Sequence, residues 1–289
     1  MGGYFIIGDI HGEIRLLDRL LEEISRYGPE KLIFLGDYID RGPHSKPVID
    51  RLMNLDVEAV FLLGNHELMM LNALENMAYG HSPIELWYYN GAEATLQSFN
   101  SAGFYSFQSD LKGKYLDFFR SLKLNYLLEL PGNITIMITH AGISPAIPLA
   151  DQISLDSYAD LNEYILKKHL DPGDSFIWVR DQFFNSRPEF WKNHIVVHGH
   201  TPVNKLFRFV YGADPDEWKF FGGDICIRYN LSTGCPVSID IDSGSTISGR
   251  LSALGVFYKD GTVLMEGITV SAGETSGRNL WSMPLPGKL

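Results

Sequence analysis

Aspartate, histidine and asparagine cluster in three short motifs near the start of the chain: GDIHG at 8–12, GDYIDRG at 36–42 and GNHE at 64–67. Two histidine motifs follow, THAG at 139–142 and HGHTP at 198–202. Carboxylate, imidazole and amide donors suit manganese, iron, zinc or magnesium better than a thiolate-seeking metal. Any one motif alone is a weak signal, because Asp9, Asp37 and Asn65 could each cap a helix. Several in this order point instead to a set of cation ligands. The glycines beside them let backbone pass close to a metal or a phosphate oxygen.

Something must carry these residues to one place. Twenty-three residues separate the first motif from the second and twenty-one the second from the third. That is room for about one helix and one strand. Apolar runs at 4–7, 31–35 and 59–63 read as buried strands, each ending at a motif. Residues 13–27 place Leu17, Leu20, Leu21 and Ile24 at helical spacing, and a second helix is expected at about 46–54. Such a β-α-β-α-β run favours parallel strands with right-handed crossovers. Ligands of these sheets sit beyond the carboxyl ends of the strands. The apolar runs 134–139 and 195–198 would bring His140 and His200 to the same edge. Residues 67–124 read as a helical insertion, with Trp87, Tyr88 and Tyr89 as one aromatic group. The second half reads as mainly strands, with a hairpin around Asp260 and Gly261. The expected class is α/β, one domain over 1–289, with 275–289 as a strap or loose end.

Composition narrows the function classes. With 289 residues, 45% of them hydrophobic, the chain can bury a sizeable core. A net charge of −11 without clustered Lys or Arg argues against a nucleic-acid partner. No apolar stretch approaches the roughly 18 residues that span a bilayer, which argues against a membrane partner. The first ten residues lack a basic leader region and run straight into a motif, so a cytoplasmic protein is expected. Cys226 and Cys235 lack metal-site spacing and are expected to be buried apolar residues.

Taken together, the five motifs resemble the calcineurin-like metallophosphoesterases, and within them the phosphoprotein phosphatase family, bacterial and phage lambda-type branch. The resemblance runs from about residue 4 to about 266, and it includes LWYYNGAEATLQSF at 86–99, where Ala92 replaces a usual glycine. It implies a β-sandwich core flanked by helices and two divalent metal ions, manganese foremost, with iron, zinc or magnesium as alternatives. Asp9 and His11 would bind the first ion, Asp37 both, and Asn65, His140 and His200 the second. His66 would protonate the leaving oxygen, with Asp40 holding its imidazole. Arg41 and Arg180, the latter in WVRDQF, would grip the phosphate, since arginine matches phosphate oxygens in a bidentate fork. Two divalent ions clamp an in-line displacement and generate hydroxide near neutral pH. His198 is then only a neighbour of His200.

The resemblance implies a phosphoprotein or phosphopeptide substrate, carrying phosphoserine, phosphothreonine or also phosphotyrosine. Diadenosine tetraphosphatases share nearly the same metal motifs, so a nucleotide hydrolase is the alternative. GDYIDRG looks more like the protein phosphatases. Pro202 stands where broader relatives carry a further histidine, which also tilts towards monoesters. A catalytically dead phosphate-binding module is a third reading, disfavoured because every expected ligand is present.

Overall fold

A period of two in the first strand sets up the layers. Phe5 and Ile7 pack with Leu17, Leu20 and Ile24 of a helix, whereas Ile6 between them packs with Ile136, Val197 and Ile239 of another sheet. A strand with both faces apolar must be covered on both sides, and here it is. The computed structural model describes residues 3–78, 82–187, 191, 194–210, 214–260, 262–273 and 278–284, the last in backbone alone.

In chain order the first strands and helices are β1 (Tyr4–Ile7), α1 (Ile14–Ser25), β2 (Lys31–Phe34), α2 (Ser45–Leu52) and β3 (Ala59–Phe61). Five helices follow: α3 (Asn65–Glu75), α4 (Pro83–Tyr89), α5 (Ala92–Ser98), α6 (Phe104–Asp110) and α7 (Lys114–Arg120). Next come β4 (Asn125–Leu130), β5 (Ile134–Thr139), α8 (Leu149–Ser154), α9 (Tyr158–Lys168), α10 (Asp181–Phe184) and β6 (Ile195–His198). The chain closes with β7 (Trp218–Phe221), β8 (Ile225–Tyr229), β9 (Pro236–Asp240), α11 (Ser245–Ser248), β10 (Arg250–Lys259), β11 (Thr262–Ser271) and β12 (Arg278–Pro284).

These strands make two six-stranded mixed sheets, ordered β12-β11-β10-β1-β2-β3 and β4-β5-β6-β9-β8-β7. β1, β2 and β3 are mutually parallel, as are β5, β6 and β9. The sheets face each other across an aliphatic layer that includes Ile33, Leu62, Ile138 and Leu254. Helices cover the outer face of the first sheet, and a smaller cluster around Phe183, Phe184 and Trp191 lies outside the second. This is an α/β sandwich flanked by helices.

Three features add to the pattern-based expectation. The second half contains α8 and α9, not strands alone; Ser157 starts α9 by accepting Asp160 N at 3.2 Å, while Asp160 accepts Ser157 N at 3.0 Å. The aromatic group splits: Trp87 is wholly buried, but Tyr89 is 91% exposed. The tail, expected as a strap or loose end, supplies an edge strand, β12, antiparallel to β11. Gly261 of the expected hairpin lies outside the described residues, although β10 and β11 pair antiparallel on either side of it. Among the described residues no helix is long and apolar enough to cross a membrane.

Candidate metal centre

Parallel strands bring the motif residues to one rim. Asp9 and His11 follow β1, Asp37 and Asp40 follow β2, and Asn65 and His66 open α3 just beyond β3. His140 follows β5 and His200 follows β6, at the matching edge of the second sheet. The two edges are stitched together. His200 N donates to Asp9 Oδ2 at 3.0 Å across the two sheets, and within the second sheet Gly199 N donates to His140 O at 2.8 Å. A side chain on Gly199 would collide with Asp9 Oδ1, so the close approach requires glycine there.

Backbone conformation at this rim is unusual. His11, Asp37, Asp40, Arg41 and His200 all have positive φ, between 47° and 69°. Non-glycine residues persist in this region only where their surroundings hold them. For the Asp37 loop the holder is Glu67. Its carboxylate is fully buried and accepts Asp37 N and Tyr38 N at 2.8 Å, Gly64 N at 3.1 Å and Ile39 N at 3.2 Å.

The imidazoles share one arrangement. One ring nitrogen of each faces a backbone carbonyl: His11 Nδ1 to Ile39 O at 2.9 Å, His140 Nδ1 to Leu35 O at 2.9 Å and His200 Nε2 to Trp178 O at 3.2 Å. Donation there fixes the tautomer and turns the other nitrogen inward as a potential ligand. His140 Nε2 and His200 Nδ1 converge on Asn65 Oδ1, at 3.1 and 2.8 Å. Asp37 sits in the middle. Its Oδ1 lies 3.5 Å from His140 Nε2, and its Oδ2 lies 3.4 Å from His11 Nε2 and 4.0 Å from His66 Nε2. Two groups of ligand atoms result, each within 4.8 Å: His11, Asp37 and His66, and Asp37, His140 and His200.

His66 belongs to a second network. Its Nδ1 lies 2.7 Å from Asp40 Oδ2, which also accepts Trp87 Nε1 at 2.8 Å. Thr95 Oγ1 donates to Asp40 Oδ1 at 2.6 Å. His66 Nε2 is buried and has no hydrogen-bond partner.

A sequence profile of the calcineurin-like phosphoesterases matches residues 4–231. This chain belongs to the calcineurin-like phosphoesterase family. The phosphoesterase is 30% identical over 193 residues to a symmetrical bis(5'-nucleosyl)-tetraphosphatase of Legionella pneumophila, strain Corby. That match covers 66% of this chain and 60% of the relative, so the chain spans about three fifths of the relative's length. An asymmetrical bis(5'-nucleosyl)-tetraphosphatase, PrpE, of Bacillus thuringiensis is 27% identical, over 78% of this chain and 90% of its own. A Caenorhabditis elegans sequence named for serine/threonine-protein phosphatase is 42% identical, over 24% of this chain and 20% of its own.

Members of this family use divalent metals, and the electrostatics of the phosphoesterase fit them. Burial lowers the pKa of His140 and of His200, and burial with the nearby Arg41 lowers that of His11. The rings are therefore neutral at pH 7, which is the ligating form. Burial, then repulsion from Asp242 and Asp37, pushes Asp9 well above the usual carboxylate range. Burial acts on Asp37 too, but His140, His66, His11 and Arg41 hold it below that range. Asp9 Oδ1 is buried with no hydrogen-bond partner. Such a carboxylate is costly unless a cation compensates it, and a bound divalent ion would ionise it.

The phosphate-gripping residues are less uniform. Arg41 is exposed, and its Nη1 lies 2.6 Å from His11 Nε2, over the ring nitrogen expected to face a metal. Arg180 flanks the start of α10 and is half-buried, close enough to be influenced by Asp37 and Asp242. Asp9 stands outside both groups of three ligand atoms. His198 does not reach the centre; its ring packs edge-on against Phe183, with centroids 4.9 Å apart. Glu67 and Thr95 are given no role by their residue types, and Trp87 is read only as a member of an aromatic group. Glu67 had one visible signal, its place three residues after Gly64 at a helix start.

Proposed function

We propose that this phosphoesterase hydrolyses phosphoanhydride bonds of bis(5'-nucleosyl) tetraphosphates at a centre for two divalent cations, manganese foremost. The observation that carries the hydrolytic reading is Asp37, whose two oxygens face different sets of imidazoles. Asp9, His11 and Asp37 would hold one ion, and Asp37, Asn65, His140 and His200 the other. Bound there, the pair would supply Lewis acidity and a water-derived nucleophile at neutral pH.

The chain's own residues supply the rest. Arg41 and Arg180 neutralise phosphate oxygens as negative charge shifts onto them. His66 donates a proton from Nε2 to the leaving oxygen, with Asp40 orienting the ring through Nδ1. A nucleotide leaving group is already a good one, so this proton matters less for an anhydride than for an alkyl phosphate. The nucleotide substrate is supported by the names of the Legionella and Bacillus relatives, which match over most of this chain. Phosphoprotein monoesters are the second reading, supported by GDYIDRG, by Pro202 and by the short but more identical match to the nematode sequence.

One experiment separates them: kcat/KM side by side on diadenosine tetraphosphate, a phosphoserine peptide and a phosphotyrosine peptide, with manganese. The nucleotide should be preferred. A higher value on either peptide would overturn the nucleotide reading. Full activity after exhaustive chelation would overturn the metal centre.

A further inference from the structure

One helical turn beyond His66, α3 leaves the candidate centre and enters the wall of a cavity of about 350 Å³. Met69, Leu86 and Ile165 give it an apolar lining, and Trp178 forms one side. The cavity adjoins the centre directly. The Trp178 ring lies edge-on to the His200 ring, with centroids 6.0 Å apart, and the Trp178 carbonyl holds His200 Nε2.

The apolar wall is broken by Asn72 and Asn162, and by Asp171, which is exposed. Asn162 is 3% exposed and donates Nδ2 to Asn72 Oδ1 at 2.8 Å. Its own Oδ1 is buried and has no hydrogen-bond partner. A buried amide acceptor is costly to leave unsatisfied, so its presence in a mainly apolar wall points to a visiting donor. The size is that of a small-molecule pocket, which combines apolar walls with a few placed polar groups.

We infer that this cavity seats a nucleobase of the dinucleoside tetraphosphate, whose exocyclic amine donates to Asn162 Oδ1. The inference rests on the nucleotide reading above. An adenine has the required chemistry: a flat apolar body for Met69 and Ile165, a π-face for the Trp178 indole and an amine donor at its edge. The phosphate chain would then run from the cavity past Trp178 to the metal centre. An apolar peptide side chain would fill the same space but leave the Asn162 acceptor unpaired.

Two variants test this, each with two substrates. Asn162→Leu removes the acceptor. Leu86→Trp adds bulk from a residue that is 42% exposed, where folding is little at risk. Each should raise KM for diadenosine tetraphosphate about tenfold, the loss expected for a stacked or paired base. Each should leave hydrolysis of nitrophenyl phosphate, which has no base, within twofold of wild type. If wild type cleaves the dinucleotide and Leu86→Trp does so with unchanged KM, the base lies elsewhere and only this inference falls. Equal losses on both substrates would make the cavity structural and overturn it as well. If wild type cleaves nitrophenyl phosphate but not the dinucleotide, the nucleotide reading falls with it. A KM rise confined to a phosphoserine peptide with a neighbouring leucine would give the cavity to a peptide side chain.

Discussion

The two sides of Asp37 are built from different materials. On one side His140 and His200 turn their free nitrogens towards a shared Asn65 oxygen while backbone carbonyls of Leu35 and Trp178 hold their other nitrogens, and the neighbouring His198 packs on Phe183 and Phe184. On the other side His11 and His66 are backed by polar groups: Arg41 over His11, and Asp40, Thr95 and Trp87 behind His66. Buried rings with one nitrogen held by a backbone carbonyl stay neutral and fixed, which suits permanent ligands. A ring tied to a buried carboxylate can accept and release a proton, which suits chemistry at the leaving group. The same residue type therefore serves two purposes, and its surroundings decide which.

Chemistry on the polar side gives the largest expected effect. His66→Asn should lower kcat on a phosphoserine peptide by about 10²-fold, the lower end for a general acid. On diadenosine tetraphosphate or nitrophenyl phosphate the deficit should be far smaller, because those leaving groups need little protonation. Bound metal, measured by atomic emission, should stay near the wild-type level. Equal deficits on good and poor leaving groups would mean that His66 has no acid role, and the contrast between the two sides would lose its basis.

Stability against pH probes the apolar side. Burial pulls His198 down to about 4 from its ordinary 6.5. The unfolded chain thus takes up a proton near pH 6.5 that the folded chain refuses until about pH 4. Stability is fully present above pH 6.5 and is lost as pH falls through this window. By pH 5 the loss from this residue amounts to about 2 kcal/mol. His198→Phe keeps a ring beside Phe183 and removes the titration. Urea unfolding of metal-free protein should show the variant gaining on wild type by that amount between pH 7.5 and pH 5. A constant difference at both pH values would contradict a neutral, buried His198.

Much of this contrast was readable in the residues, and part was not. Glycine-flanked Asp and His at the ends of apolar runs gave away the strands β1, β2 and β3 and the rim they share. His140 and His200 were legible for the same reason. The backing of each ring was not, because it comes from contacts far apart in the chain. Trp87 reaches Asp40 across 47 residues and Thr95 across 55. On local pattern both belong simply to helical core. Arg41 looked like a phosphate ligand from GDYIDRG, and nothing local placed its guanidinium against His11. The substrate was read least well: GDYIDRG and Pro202 tilt towards phosphoprotein, while the relatives matching over most of the chain are named for dinucleoside tetraphosphates.

The finest test asks whether the two sides bind metal unequally. The His140 side offers Asp37, Asn65, His140 and His200, three of them already converged within 3.1 Å. The His11 side offers Asp9, His11 and Asp37, and Pro202 contributes no side-chain ligand to it. Arg41 must also leave His11 Nε2 before that nitrogen can coordinate, and two positive charges cannot share the spot. Fewer ligands and a displaced guanidinium both weaken this side. Manganese added to metal-free protein should therefore fill a tighter and then a weaker site, separated by at least a factor of about ten, or 1.4 kcal/mol. Calorimetric titration would resolve that gap. His140→Ala should remove the tighter event and His11→Ala the weaker one. Arg41→Ala should narrow the gap by freeing His11 Nε2, even while it harms phosphate binding. If His11→Ala removed the tighter event, the order of the two sides would be reversed; if Arg41→Ala widened the gap, the guanidinium would be assisting the His11 side and not opposing it.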